Sequence, residues 1–95
     1  MTLKEFFESN QLLAINLKTK EQSIIFSKEA DKLGKKWNSK DSYLEFNHWD
    51  INKEKTCYDN EGLFTDILYY NILEKCKVLK FEDIEWEELK NGKRT

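Results

Sequence analysis

Histidine and cysteine offer the widest side-chain chemistry in this sequence, and both are scarce. His48 is the single histidine, and Cys57 and Cys76 are the two cysteines. Structural zinc sites use paired C-x-x-C spacing, whereas these cysteines stand nineteen residues apart. A nucleophilic Cys57–His48 pair would need contact in space and a third orienting group, which the spacing does not supply. We therefore predict no metal, no cofactor and no catalytic residues, in a protein that is not an enzyme.

The spacing of the glycines excludes phosphate-binding loops. Gly34, Gly62 and Gly92 are each isolated in the sequence. The Walker loop and the dinucleotide-binding loop both need glycines a few residues apart, because the backbone must pass close to the phosphate groups. Gly62 instead closes the run Asp59-Asn60-Glu61-Gly62, whose composition is typical of a turn.

An acidic segment near the end of the chain is the first candidate binding surface. Five carboxylates within seven residues create a local negative field, although the whole chain carries a formal charge of only −2. Trp86 lies inside the segment, and aromatic side chains often anchor protein interfaces. The candidate residues are Glu82, Asp83, Glu85, Trp86, Glu87 and Glu88. Such a surface would compete with nucleic acid for a basic channel. The alternative is a solvated charge run in which Trp86 packs inward.

The aromatic and lysine-rich middle of the chain is the second candidate binding surface. Its candidate residues are Lys35, Lys36, Lys40, Tyr43 and Trp49. Aromatic rings with lysines around them can stack the bases of a single strand, which would make the chain a nucleic-acid or nucleotide-binding module. The same rings would also suit the core of a small domain, and we favour that interpretation. The near-neutral total charge argues against a general nucleic-acid binder as well.

The hydrophobic pattern predicts alternating helices and strands. A Thr2 capping box begins a short helix, and Thr19 caps a second helix that ends before Gly34. Thr65-Asp66 caps a third helix over about 66–75, with Ile72 among the residues available to the core. Strands are expected at 12–17, around a polar turn within 36–46, at 56–58 and at 77–81, with an irregular segment at 47–55. Residues 82–89 are expected to form a short helix or an extended acidic end. The predicted architecture is α+β, a small antiparallel or mixed sheet with two to three helices packed on one face.

The length and composition fit one small domain. A chain of 95 residues buries roughly 60–65% of its unfolded surface, so we expect one modest core, with Trp37 and Phe81 inside it. Residues 1–90 form the expected domain, and residues 91–95 are expected to fray. The sequence shows neither an export signal nor a long apolar run. We therefore expect a cytoplasmic protein with free thiols and no membrane association.

Several short motifs resemble a group of small proteins encoded by phages and prophages of low-GC Gram-positive bacteria. The resemblance covers roughly residues 2 to 86. Its members usually carry Gly where this chain has Lys40, and a Gly–aromatic pair where it has Cys76-Lys77. The motifs are Leu13-Ala14-Ile15-Asn16, Leu33-Gly34-Lys35-Lys36-Trp37, Asp41-Ser42, Trp49, Thr56-Cys57-Tyr58, Tyr69-Tyr70 and Val78-Leu79-Lys80-Phe81-Glu82-Asp83-Ile84.

The resemblance implies a phage-derived gene and carries over no catalytic residues. Small accessory phage proteins commonly bind and disable host defence machinery, including CRISPR nucleases. The expected function is therefore that of a non-catalytic, anti-CRISPR-like inhibitor of a host defence nucleoprotein complex. Its expected partner is a host protein, such as a CRISPR nuclease or another defence effector, in the cytoplasm of the host cell.

Overall fold

A computed structural model describes residues 1–73 and 75–92 of the chain, and within this part five helices pack around a four-stranded mixed sheet. The strand order is β3-β2-β1-β4. Strand β1 pairs parallel with β4 and antiparallel with β2, and β2 pairs antiparallel with β3. The elements are α1 (Leu3–Glu8), β1 (Leu12–Asn16), α2 (Lys20–Lys32), α3 (Trp49–Asn52), β2 (Thr56–Asp59), β3 (Phe64–Asp66), α4 (Ile67–Ile72), β4 (Cys76–Lys80) and α5 (Glu87–Gly92). The predicted α+β class is confirmed.

Local capping signals fix the helix ends that the sequence predicts. Thr2 and Glu5 form a reciprocal capping box at the start of α1. The Thr19 side chain accepts the backbone N–H of Gln22 at the start of α2. Gly34 follows α2 with φ +75°, a conformation that glycine adopts without steric cost. No helix within the described residues is long and apolar enough to cross a membrane.

The main core lies against the face of the sheet that carries Leu13 and Ile15 of β1. Helices α1 and α2 cover this face, and Phe26 of α2 contacts the aromatic rings around it. Trp37 and Phe81 are buried in this core, as predicted. Alternation along β1 sends Ala14 to the other face. The helices therefore occupy both faces, because α4 packs there through its buried Tyr70 and forms a second, smaller core with Ala14 and Cys57.

The middle of the chain departs from the predicted strands. The two strands expected within 36–46 reduce to one isolated bridge between Lys36 and Ser42. The segment expected to be irregular contains α3 and a 3-10 turn at Lys53–Lys55. Strand β3 is only three residues long, too short to show a period in the sequence.

The end of the predicted third helix and the end of the chain also differ from expectation. Helix α4 ends at Ile72, whose side chain is 78% exposed instead of buried. The acidic end contains a 3-10 turn at Phe81–Asp83 followed by α5. Helix α5 runs from Glu87 to Gly92 and thus includes the first two residues of the predicted tail. The rest of the predicted frayed tail, residues 93–95, lies outside the described residues.

Candidate functional site: an aromatic cleft

A polar turn after α2 forms one wall of the cleft. The backbone N–H of Trp37 donates to the Asp41 carbonyl at 3.0 Å and closes the turn. The Trp37 indole N–H donates to the Phe46 carbonyl at 3.0 Å. Lys40 lies between them with φ 78°, a conformation that disfavours L side chains. Because the indole is buried, this hydrogen bond fixes where the chain passes on its way to His48.

The turn between β2 and β3 forms the opposite wall, and Gly62 lets the two walls meet. The Asn38 backbone N–H donates to the Gly62 carbonyl at 2.8 Å. Gly62 has φ +81°, and a Cβ atom at this position would lie 2.6 Å from the Asn38 nitrogen. A contact this short with backbone atoms cannot be relieved by a side-chain rotation. Glycine is therefore required here for both its φ value and its size.

Hydrogen bonds to the Asp59 carboxylate hold the second wall in shape. Its Oδ1 accepts the backbone N–H groups of Glu61 and Leu63, both at 2.9 Å. Its Oδ2 accepts the Tyr70 hydroxyl at 2.7 Å. Two effects raise the pKa of Tyr70: desolvation is the larger, and the hydrogen bond to Asp59 is the smaller. The phenol therefore keeps its proton and remains a donor. The buried carboxylate thereby ties the turn to α4.

The two walls enclose a cleft of about 450 Å³ lined mainly by aromatic side chains. His48 stacks on Phe64, with ring centroids 4.1 Å apart and planes within 4°. Phe46 lies parallel to His48 at 6.3 Å and 9°. The edge of Trp37 meets His48 at 4.9 Å and 71°. Polar groups complete the lining, which consists of Trp37, Asn38, Ser39, Asp41, Phe46, His48, Gly62, Leu63 and Phe64.

His48 is held as a neutral ring. Its backbone N–H donates to the Tyr58 hydroxyl at 3.3 Å, and its ring is half-buried among Trp37, Phe46 and Phe64. Desolvation lowers the pKa of His48, because burial penalises the charged imidazolium. A neutral imidazole has one donor and one acceptor nitrogen. The ring therefore adds a flat face and hydrogen-bonding capacity to the cleft.

The acidic segment is exposed, and part of its charge is compensated locally. Glu85 pairs with the Met1 ammonium group at 3.4 Å, and Glu88 pairs with Lys28 at 3.7 Å. One oxygen of Asp83 accepts the Lys80 backbone N–H. The five predicted acidic candidates, all with exposed side chains, are Glu82, Asp83, Glu85, Glu87 and Glu88.

Two predicted binding residues belong to the core instead of the surface. Trp86 is 2% exposed, stacks on Phe81 with centroids 4.7 Å apart, and donates its indole N–H to the Phe81 carbonyl at 2.8 Å. Tyr43 is 1% exposed and packs against Trp37. Trp86 packs inward, as in the alternative given for the acidic segment, and Tyr43 lies in the core, as favoured for the middle of the chain. A composition pattern does not distinguish buried aromatic rings from exposed ones, so neither ring can serve as the predicted partner contact.

The other candidates from the middle of the chain lie in three separate places on the protein. Lys35 directs its ammonium group at the Phe7 ring, 5.6 Å from the centroid, in a cation–π contact. Trp49 is half-buried and donates its indole N–H to the Leu17 carbonyl at 2.8 Å. Lys36 and Lys40 are exposed and belong to the turn that forms the first wall.

None of the lining residues was among the predicted site residues. Phe46, Asp41 and Phe64 were missed, and His48 was considered only in a pair with Cys57. The walls come from segments separated along the chain, joined by the contact of Asn38 with Gly62. The one sequence signal that pointed here was the turn composition around Gly62.

The structure does not form the Cys57–His48 pair. Cys57 packs with Ala14 and Tyr70 on one face of the sheet, whereas His48 contacts rings on the other. Burial raises the pKa of Cys57 to about 12, which leaves the thiol protonated and unreactive. Cys57 and Cys76 are both free thiols.

The aromatic cleft and the exposed acidic segment are thus the two candidate binding surfaces. No protein-family model, no curated protein and no solved structure matches this chain.

Proposed function

We propose that this chain is a binding protein whose cleft holds a flat aromatic ring, as a nucleotide-binding or single-strand-binding module would. The observation that carries the proposal is the set of parallel rings of Phe46, His48 and Phe64 in one open cleft. Stacking on such rings contributes about 1–3 kcal/mol per base.

The size and lining of the cleft support a small ligand or a single base. Ligand pockets commonly enclose about 300–1,000 Å³ and combine apolar walls with a few polar groups. The cleft has about 450 Å³, and Asn38, Ser39 and Asp41 supply the polar groups. The first wall also carries the exposed Lys36 and Lys40, whose charges would attract a phosphate group.

The experiment is a titration of the protein with the four ribonucleoside monophosphates and with a short single-stranded oligonucleotide of mixed sequence. Nuclear magnetic resonance would follow the backbone amides of Asn38, His48 and Leu63. We expect the amide resonances of the cleft to shift together. Replacement of Phe46 by Ala should weaken binding about tenfold, in line with the loss of one stacking ring.

Leu44→Ala is the matched control for this variant. Leu44 is exposed and lies outside the cleft lining, so its loss should leave the affinity unchanged. The Phe46→Ala variant keeps the backbone carbonyl that accepts the Trp37 indole, so its fold should be retained. Unshifted cleft amides, or equal affinities for wild type and Phe46→Ala, would reject the proposal.

A second candidate function uses the exposed acidic segment. Its five carboxylates lie on one short stretch, anchored by the buried Trp86. Such a surface would occupy the basic nucleic-acid channel of a host defence protein, such as a CRISPR nuclease. The resemblance to phage-encoded proteins supports a partner of this kind. The ion pairs of Glu85 and Glu88 reduce the available charge, so we place this function second.

Charge reversal tests the acidic surface. The variant replaces Glu82, Glu85 and Glu88 with lysine. The control replaces the exposed Glu8 and Glu45, also with lysine. Pulldown from host lysate with wild type should capture a nuclease or another defence effector, and the interaction should weaken as salt increases. The triple variant should lose this capture and the control should keep it. Equal capture by both variants would reject the acidic surface as the binding site.

A further inference from the structure

Two rings of the cleft present nearly parallel faces. The centroids of Phe46 and His48 are 6.3 Å apart, and their planes differ by 9°. Phe46 is 46% exposed, whereas His48 also stacks on Phe64, with centroids 4.1 Å apart. The cleft therefore offers parallel faces on which one flat ring can stack.

A carboxylate lies among the polar groups beside these rings. Asp41 lines the cleft and is half-buried. Its Oδ2 accepts the Ser39 hydroxyl at 2.8 Å, and its main-chain carbonyl accepts the Trp37 N–H. Both contacts restrain the residue. Within residues 1–73 and 75–92 no hydrogen bond reaches Oδ1, and each carboxylate oxygen has two lone pairs. The carboxylate therefore retains accepting capacity on both oxygens.

The hydrogen-bonding capacity of the Asp41 carboxylate favours one class of base. An ionised carboxylate only accepts hydrogen bonds, so it favours a ring edge that carries neighbouring donors. Guanine presents its N1–H and its exocyclic N2–H₂ side by side, which matches the two oxygens of one carboxylate. Adenine and cytosine each place a ring acceptor beside the amino group. A carboxylate would repel that acceptor.

We propose that the cleft binds a guanine base, stacked on the parallel rings of Phe46 and His48, with its N1–H and N2–H₂ donating to the Asp41 carboxylate. This inference rests on the proposed function of the cleft and adds the identity of the ring. The base belongs either to a free guanine nucleotide or to an exposed guanine in a single strand. Both sources offer the same edge to Asp41.

Calorimetric titration with guanosine, inosine and adenosine monophosphates tests the assignment. Inosine lacks the 2-amino group and adenosine lacks both donors. The guanine nucleotide should therefore bind tightest and the adenine nucleotide weakest. The preference for guanine over adenine should reach about tenfold or more, as bidentate base contacts provide. Asp41→Asn should abolish this preference, because an amide replaces one acceptor with a donor.

Glu45→Gln provides the matched control, because it neutralises an exposed carboxylate that lies close to Asp41 in sequence and outside the cleft lining. This control should retain the guanine preference. An all-thymidine oligonucleotide and one with a single central guanine identify the source. Tighter binding of the guanine strand than of the mononucleotide assigns the site to single strands, and the reverse assigns it to free nucleotides.

The outcomes separate the two proposals. Cleft amides that shift equally with all three nucleotides would overturn the guanine assignment and retain the proposed function. A guanine preference that survives in Asp41→Asn would also overturn it. If no nucleotide shifts these amides, the proposed function itself fails. The Asp41→Asn variant is informative only as a folded protein, so its amide spectrum outside the cleft must be unchanged. A second variant, Asp41→Glu, keeps the carboxylate and should retain the guanine preference.

Discussion

Two lysines adopt backbone conformations that glycine normally occupies. Lys40 has φ 78°, and Lys53 has φ 50° with ψ −127°. Both values place Cβ too close to the neighbouring backbone, and such residues cost about 1–3 kcal/mol each. The strain is local, since each lysine side chain is exposed.

Lys53→Gly should stabilise the protein. Glycine relieves the strained φ and ψ values, and this gain exceeds the entropy that glycine adds to the unfolded chain. The expected net increase in the free energy of unfolding is about 1 kcal/mol, measured by urea denaturation. Lys55→Gly is the control, because Lys55 does not have a positive φ and should lose stability. A stability loss in Lys53→Gly equal to that of the control would show that position 53 is unstrained.

At the scale of elements, two glycines with similar φ values should respond differently to substitution. Gly34 has φ +75° and open space around its missing Cβ, whereas Gly62 has φ +81° and backbone atoms of Asn38 at 2.6 Å. Gly34→Ala should cost about 1–2 kcal/mol from backbone strain alone. Gly62→Ala should cost a further 1–3 kcal/mol or so from overpacking. Thermal or urea unfolding of both variants measures the difference, and equal losses would contradict the close contact between the walls.

Helix α5 depends on a residue that lies far from it in sequence. The buried Glu29 of α2 accepts the backbone N–H of Glu87 with one oxygen and that of Glu88 with the other, at 3.0 and 3.1 Å. These N–H groups belong to the first turn of α5, where an acceptor from outside the helix can satisfy them. Glu29 therefore acts as a distant cap that docks α5 on α2.

Glu29→Ala should destabilise the protein by about 1–3 kcal/mol, since it removes the buried carboxylate that accepts both N–H groups. Glu29→Gln should cost less, because its amide oxygen still accepts one of them. Urea denaturation gives the two free energies, and hydrogen exchange of the Glu87 and Glu88 amides locates the effect. If Glu29→Ala and Glu29→Gln lower the free energy of unfolding equally, and hydrogen exchange of the Glu87 and Glu88 amides is unchanged, Glu29 does not cap α5.

The elements that local signals define were predictable, and those that tertiary contacts define were not. Strand β1 and helix α2 follow from an apolar run, a Thr19 cap and the Gly34 stop. Helix α3 and strand β3 have too few residues for a period to appear. The cleft was unpredictable for a similar reason, because the contact between Asn38 and Gly62 joins segments that share no pattern.

At the scale of the whole molecule, the aromatic rings form both the core and the cleft. Trp37 belongs to both, since it packs on Tyr58 inside and on His48 at the cleft. The prediction that the aromatic residues form the core is therefore correct for Trp37. It does not account for the rings in the middle of the chain that line the cleft. A ligand in the cleft would contact side chains that the main core already holds in place, which favours a preformed site.

The buried phenols and thiol make the protein sensitive to alkali. Burial raises the pKa of Cys57 from 9.0 and that of Tyr58 from 10.0, each to about 12, and also raises the pKa values of Tyr43 and Tyr70. These groups keep their protons in the folded state at a pH where the unfolded chain releases them. The folded state then binds more protons, so the free energy of unfolding falls as pH rises.

We expect stability to be nearly constant from pH 7 to pH 8 and to fall progressively between about pH 9 and pH 12, by about 1.4 kcal/mol per pH unit for each such group above its unfolded pKa. Urea denaturation at successive pH values measures this slope. Cys57→Ala removes the buried one of two thiols whose pKa burial raises from 9.0, so its decline just above pH 9 should be shallower than that of wild type, with Cys76 still contributing. The comparison uses the slopes, which the small cavity left by the substitution does not alter. A free energy of unfolding that stays level up to pH 11 would contradict the burial of these groups, because exposed thiols and phenols ionise equally in both states.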